Sequence, residues 1–371
     1  MTAGSIVSRR WKEYNATSAP MSGLKGRAGQ VVHVTGLNIM RAVVIKAYGG
    51  PEVLAVEDIP LAAPGPGQAQ VQVMAAGVNF LDTGARRGLG PARPLPVTLG
   101  VEGAGIVLAV GPGVEEVRAG DRVAWHYVPG SYAEQVIAEV SQLVPLPDDI
   151  DFDTAASLMM QGLTARNLIH KVHAISPGDV AFVHAAAGGV GLMLTQLIKL
   201  HGGKVIGRVS QADKVDAVLA AGADYVVIGR AAGIAGQVLR LNDGQRVNVV
   251  YDGTGAEGFS DSLSLLDYFG TLALYGPFMN PIAPIDIFSV PRSIKLTYPS
   301  VMHYVATRET LLEHSAQLFA WARAGKLKTF IGQRYSLAQA RQAHLDIESR
   351  QTTGKLLICP HADSSSLDPA R

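Results

Sequence analysis

Val180–Leu200 reads VAFVHAAAGGVGLMLTQLIKL, and this stretch decides the fold. Val180–His184 is a short apolar run of strand type. Leu192, Gln196, Leu197 and Leu200 recur with helical spacing. Between them lies Ala186-Ala187-Gly188-Gly189-Val190-Gly191, a G-x-G-x-x-G pattern with Ala186 in the first glycine place. A glycine loop that follows a strand and opens a helix is the frame a dinucleotide pyrophosphate requires. Gly188 lets backbone approach the pyrophosphate, and Gly191 lets the helix pack on the strand. The helix N-terminus adds free N–H groups and partial positive charge.

Downstream the alternation continues. Strand Lys204–Val209 precedes helix Ala212–Ala221, strand Tyr225–Ile228, helix Ala235–Leu241, strand Val247–Tyr251, helix Gly258–Leu266 and strand Gly270–Tyr275. Strands alternating with helices of this length predict βαβ units and a doubly wound parallel sheet, a Rossmann domain over 163–298. Upstream the rhythm differs. Arg41–Ala47, Leu54–Asp58, Ala69–Val78, Thr98–Val110, Gly120–Trp125 and Ser131–Ile137 are short β-type runs broken by Gly and Pro. They predict a β-rich domain over 40–162. Helices Arg308–Ala324 and Leu337–Ser349 and strand Lys355–Cys359 form a tail that would not fold alone, and 299–360 is expected to complete the β domain. Residues 1–39, basic and with one acid, are expected to be a disordered extension, and 361–371 a flexible tail.

Composition fits this division. A chain of 371 residues allows two domains. Hydrophobic residues at 48% and charged ones at 17% allow a large core. The net charge of +1 and 6% aromatics argue against nucleic-acid binding. No run reaches the roughly 18 apolar residues of a membrane span. A single cysteine, Cys359, excludes an intrachain disulfide and fits a reducing, cytoplasmic location. With one cysteine and no H-E-x-x-H among the histidines, no metal is expected.

The end of the second Rossmann strand selects the cofactor. An NAD-preferring fold places Asp or Glu there; this chain has Gly207-Arg208-Val209-Ser210, with Lys214 close behind. A missing acid and nearby cations favour the 2′-phosphate of NADPH, with Asp213 the opposing feature. Without a Lewis acid, reduction of an electron-poor acceptor suits the chain better than alcohol oxidation.

From Met40 to about Pro360 the sequence resembles the zinc-free quinone oxidoreductases of the medium-chain dehydrogenase/reductase superfamily, the zeta-crystallin group. The resemblance rests on Gly49–Leu54, Gly77–Asp82, Gly100–Gly105, Ala119–Val123, Gln161–Ala165, His184–Gly191, Gly222–Asp224 and Tyr251-Asp252. It implies a GroES-like catalytic domain, a Rossmann domain, NADPH in the cleft between them, and a homodimer. Residue by residue it places Asn79 and Thr164 by the nicotinamide and ribose, and Ala187, Gly188, Gly189, Val190 and Gly191 on the pyrophosphate. Ser210 and Lys214 would meet the 2′-phosphate, Tyr275 and Gly276 the nicotinamide end, and Arg350 would approach from the tail. Three places depart from the family. Gly84 and Gly90 stand where aromatics are common, implying a wider mouth. Gly229 with Arg230 replaces a Tyr or His near the adenosine phosphate, and Tyr298 stands where Arg often precedes the Pro-Ser segment.

The expected reaction is hydride transfer from NADPH to a quinone or an α,β-unsaturated carbonyl. Tyr127, and less so His126, are candidates to donate a proton or hydrogen bond to the acceptor oxygen. Asn79 is expected to orient the nicotinamide, and Asp82 to be a helix N-terminal or buried partner. Alternatives are a 2-alkenal or enoyl-thioester reductase, for which Arg86, Arg87 and Arg93 are the one basic cluster near the mouth, and a non-catalytic NADPH sensor or structural protein.

Overall fold

The computed structural model describes residues 38–90, 93–276 and 281–362. The extension expected at the N-terminus lies outside these up to residue 37, and the tail from residue 363. The elements are β1 (Asn38–Ile45), β2 (Ala55–Leu61), β3 (Gln68–Val78), α1 (Phe80–Arg86), β4 (Val97–Thr98), β5 (Glu102–Val110), β6 (Arg122–Trp125), β7 (Gln135–Glu139) and β8 (Val144–Pro145). Then come α2 (Phe152–Asn167), β9 (Val180–Val183), α3 (Gly189–Leu200), β10 (Lys204–Val209), α4 (Val215–Ala220), β11 (Tyr225–Ile228), α5 (Ala235–Leu241), β12 (Val247–Asp252), α6 (Phe259–Leu265), β13 (Leu266–Leu274) and β14 (Lys295–Thr297). The chain closes with α7 (Val301–Tyr304), α8 (Arg308–Arg323), β15 (Ile331–Tyr335), α9 (Ala340–Ser349) and β16 (Lys355–Ile358).

Strand β10 is buried along five consecutive residues, as a parallel strand covered on both faces must be. The sheet order is β11-β10-β9-β12-β13-β14, all pairs parallel. Counted from β9, that is 3-2-1-4-5-6, the doubly wound order whose ligand crevice lies where the order reverses. The β-rich part holds a sheet β15-β16-β3-β5-β6-β8, with β7 also on β3, and a small sheet β2-β1-β4. Strand β16 returns from the tail to pair antiparallel with β3, Leu356 opposite Val78.

Helix α2 joins the two halves. Asp151 caps it by accepting from Thr154 N–H at 2.7 Å. It packs against β3 and β5 and against α3 and α8. Its Ala155, Leu158, Met159 and Leu163 share one apolar cluster with Ala75 and Ala104 of the β sheet and Val183 and Leu192 of the parallel one. One core therefore fixes the two halves relative to each other.

The structure redraws some boundaries. The first strand begins at Asn38, inside the stretch expected to be extension. The single strand expected over Thr98–Val110 is two, because Gly100 at φ 83° turns the chain and its carbonyl accepts from Gly130 and Ser131. The expected helix Ala212–Ala221 starts with a 3₁₀ turn before α4.

Candidate active site

A cavity of about 710 Å³ opens between the parallel sheet and the β-rich half. The turn after β9 forms its floor. Ala185 takes a left-handed conformation at φ 50°, Ala186 N–H donates to Arg208 O, and Gly188 N–H donates back to Ala185 O. Gly188 is the N-cap of α3, so the first-turn N–H groups of the helix have no intrahelical acceptor. A Cβ on Gly191 would stand 2.5 Å from Ala185 O, and one on Gly189 2.1 Å from the Gln161 amide. The glycines are there because backbone and side chain already fill those places.

Ala187, Gly188, Gly189, Val190 and Gly191 all line the cavity, as do Asn79, Thr164, Arg208, Ser210, Lys214, Tyr275, Gly276 and Arg350. Folding thus gathers every residue expected at the cofactor from separate stretches of chain. Asp213 is exposed and does not line the cavity.

The cationic end is partly occupied by protein. Arg208, 8% exposed, donates from Nη1 to Gly229 O at 2.8 Å, while Nε has no protein partner. Burial lowers its pKa; Asp252 and Glu257 oppose that. Lys214 Nζ donates to Arg350 O at 2.6 Å and Thr352 O at 3.0 Å, so this cation also staples the tail to the Rossmann half. Burial holds it below the ordinary lysine value. Gly354 N–H donates to Ala187 O, bringing the tail onto the glycine loop. Arg350 enters the cavity because it ends α9 at φ 58°. Arg230, also lining, pairs through Nε with Glu257 at 2.9 Å.

From the β-rich half, Asn79 lines the cavity as the N-cap of α1 and is 7% exposed. Thr164 Oγ1 donates to Met160 O, one turn back in α2. Tyr275 is the tyrosine of the lining; burial and the Asp252 charge raise its pKa, so its hydroxyl stays protonated and can donate. Asp252 shapes the adjoining wall by accepting from Thr254 N–H, Thr254 Oγ1 and Gly255 N–H.

Other residues singled out in the sequence lie away from the cavity. Tyr127, expected to reach the acceptor, does not line the cavity. Its loop is bound to the barrel instead: Val128 N–H donates to Val101 O, and Ser131 Oγ links Trp125 Nε1 to Val128 O. His126 does not line it either; burial presses its pKa down to about 4. Gly84 is buried within α1, Gly90 is exposed with open space where a Cβ would stand, and neither lines the cavity. Arg86 is no surface cation. It is fully buried and binds Glu348 at 2.7 Å and the His344 ring at 3.1 Å, with Arg87 on the same Glu348. Asp82 is the buried partner it was expected to be. It accepts from Asn79 N–H and from Tyr132 OH, and burial raises its pKa to about 6.

Sequence reasoning passed over Gln161, Glu257 and Thr352, and the buried pair Glu102–Lys355 behind Asn79. That pair had a signal: each is a charge in an otherwise apolar strand, which burial tolerates only with a partner. Among the described residues, no group of three or more His, Cys, Asp or Glu is placed to hold a metal ion. Also among them, no helix is long and apolar enough to cross a membrane.

A glycine loop, a cation cluster and a helix N-terminus aimed into a crevice of a doubly wound sheet define a dinucleotide-dependent dehydrogenase or reductase. Family profiles agree: "Alcohol dehydrogenase GroES-like domain" matches residues 65–148 and "Zinc-binding dehydrogenase" residues 221–358. A quinone oxidoreductase of Pseudomonas aeruginosa is 39% identical over 85% of this chain and 98% of its own. The structure of Escherichia coli quinone oxidoreductase complexed with NADPH superposes with a TM-score of 0.83 at 36% identity, over 86% of this chain and 100% of that one. A 2-haloacrylate reductase of Burkholderia is 34% identical over 87% of this chain and 100% of its own. The chain belongs to the quinone oxidoreductase family of the medium-chain dehydrogenase/reductase superfamily.

Proposed function

We propose that this chain is an NADPH-dependent oxidoreductase that reduces a quinone. The observation that carries the reading is that the glycine loop, Arg208, Ser210, Lys214, Asn79, Thr164 and Tyr275 all line one cavity. The residues present suit such a cofactor. Gln161 Oε1 and Arg208 Nε are buried polar atoms of the lining with no protein partner, ready for a polar ligand. When bound, NADPH supplies the hydride. The chain does the rest: the loop Ala187–Gly191 holds the pyrophosphate, Arg208, Ser210 and Lys214 select the 2′-phosphate, and Arg350 closes the tail side. Asn79 and Thr164 orient the nicotinamide end, Gly276 leaves it room, and the Tyr275 hydroxyl donates a hydrogen bond toward the acceptor oxygen. A dry, preorganised cleft then lowers the barrier through orientation.

We take residues 40–162 with 299–360 as the catalytic domain and 163–298 as the cofactor domain, on the strength of the two sheets. The reading includes a cytoplasmic homodimer. Ile285, Ile287 and Phe288 stand exposed on the chain leading into the outer strand β14, and Phe288 is 95% exposed. Mass photometry should give twice 39.0 kDa, and Phe288→Glu should give the monomer.

The assay follows NADPH absorbance with 1,4-benzoquinone, 9,10-phenanthrenequinone, 2-cyclohexenone and crotonyl-CoA, with NADH as control. Turnover of a quinone with NADPH and little with NADH is expected. Turnover of the enone alone would move the chain to the branch of the 2-haloacrylate reductase relative. The thioester is disfavoured because Arg86 is buried and paired rather than presented at the mouth. NADPH binding without turnover of any acceptor would leave a sensor.

A further inference from the structure

The carboxamide of Asn79 is committed before any ligand arrives. Its Nδ2 donates to Glu102 Oε2 at 2.9 Å and to Gly77 O at 3.2 Å. Its Oδ1 accepts from Lys355 Nζ at 3.0 Å. Lys355 Nζ also pairs with Glu102 Oε2 at 2.5 Å, and Glu102 Oε1 accepts from Met160 N–H at 2.6 Å. Glu102 is 0% and Lys355 1% exposed. Three walls of the cavity meet at this pair: the end of β3, helix α2 through Met160, and β16 through Lys355. Nothing else fits beside it, for a Cβ on Gly77 would lie 2.3 Å from Glu102 Oε2 and 2.7 Å from Lys355 Nζ.

A carboxylate only accepts and an ammonium only donates. Turning the Asn79 amide over would set its oxygen against Glu102 and its NH₂ against Lys355, two repulsive contacts in place of two attractive ones. The charges therefore fix which end of the amide is oxygen, a distinction that electron count alone leaves open. Both N–H groups are used, and the oxygen keeps one lone pair. Toward a ligand Asn79 can accept and cannot donate.

We propose that Glu102 and Lys355 are a positioning pair that holds Asn79 acceptor-only, so that it receives the carboxamide N–H of the nicotinamide and sets which way that ring faces. The proposal rests on the NADPH reading of the cavity. A ribose hydroxyl both donates and accepts, so it would be indifferent to the polarity of Asn79; a carboxamide has a distinct donor end and is not. It follows that Asn79 gives no hydrogen bond to the acceptor oxygen.

The test compares the dissociation constants of NADPH and of its 3-acetylpyridine analogue, in which a methyl group replaces the carboxamide NH₂. Both are read by protein fluorescence on the full chain, with no acceptor present. The wild type should prefer NADPH by about tenfold or more, the effect of leaving one acceptor unmet. Lys355→Met leaves a buried carboxylate unpaired and serves only if it folds. Lys355→Met/Glu102→Gln removes both charges, and the side-chain amide it introduces beside Asn79 can meet either end of the Asn79 carboxamide. In the double variant the preference should fall toward parity. Tm is recorded alongside: a pair that only supports the fold would lower Tm and leave the ratio of the two constants unchanged. A double variant that keeps the wild-type preference overturns the proposal, as does a wild type that binds NADPH without preferring it. A wild type that binds neither compound instead refutes the cofactor reading itself.

Discussion

Gly191 has no room for a side chain, because backbone atoms of Ala185 and Ala186 stand 2.5 to 2.7 Å from where its Cβ would be. Gly191→Ala must push α3 off the turn after β9. Such overpacking costs about 1–3 kcal/mol, and it moves the N–H groups meant for phosphate. Urea unfolding should show the loss, and NADPH affinity measured by fluorescence should fall at least about tenfold. Tyr275 offers a second residue-scale test. Its hydroxyl is kept protonated by burial and by Asp252. Tyr275→Phe should lower kcat at least about tenfold and leave the dissociation constant of NADPH within a factor of about two, as for loss of one donor to a developing oxyanion. Equal kcat values would remove Tyr275 from the reaction. The glycine loop and the cations were legible because their residue types are tied to backbone and charge. Tyr127 does not line the cavity, and a tyrosine near a strand end carries no sign of which way its loop folds.

At the scale of elements, α1 and α9 are locked by a buried cation. Arg86, fully buried, reaches Gly49 O, His344 and Glu348. Arg86→Met strands these acceptors, although Arg87 still serves Glu348. The expected loss is about 3 kcal/mol, visible as a lower urea midpoint. A midpoint equal to wild type would show that the contact adds nothing net. Strands β9 to β12 and helix α5 were legible almost to the residue, since apolar runs and short amphipathic helices stand out from their flanks, but β13 begins at Leu266 rather than Gly270 and β14 carried no such signal. The breaks at Gly100 and at the 3₁₀ turn before α4 were not legible. A glycine in an apolar run reads the same whether the strand bends, bulges or ends, and only the partner strand decides.

For the whole molecule, buried histidines set the acid limit. Burial presses the pKa of His126 and His184 to about 4 and that of His344 to about 3. In the unfolded chain they would titrate near 6.5. Between about pH 6.5 and 4 the unfolded state binds more protons, so stability falls as pH falls. Asp82, raised to about 6, works in the opposite sense by taking up a proton in the folded state. His170, His173 and His314 are lowered by burial as well, so the histidines outnumber the one raised carboxyl and the net effect is loss of stability in acid. The urea midpoint should drop markedly from pH 7 to pH 5; an unchanged midpoint would mean these rings are solvated or already paired in acid.

What the sequence determined by itself was the alternation of strand and helix from Val180 onward, the doubly wound sheet, the phosphate loop and the missing acid at the end of β10. These are local facts, written in periodicity, glycine and charge within a few residues of one another. Only the tertiary structure decided which charges face the ligand and which face each other. Arg86 and Lys355 look like any other cations in the chain, yet folding buries one against Glu348 and the other against Glu102. Lys355 lies 276 residues from the asparagine whose polarity it sets, and only the pairing of β16 with β3 brings the two within hydrogen-bond reach. A buried charge depends on its partner, and no local pattern names a partner so far along the chain.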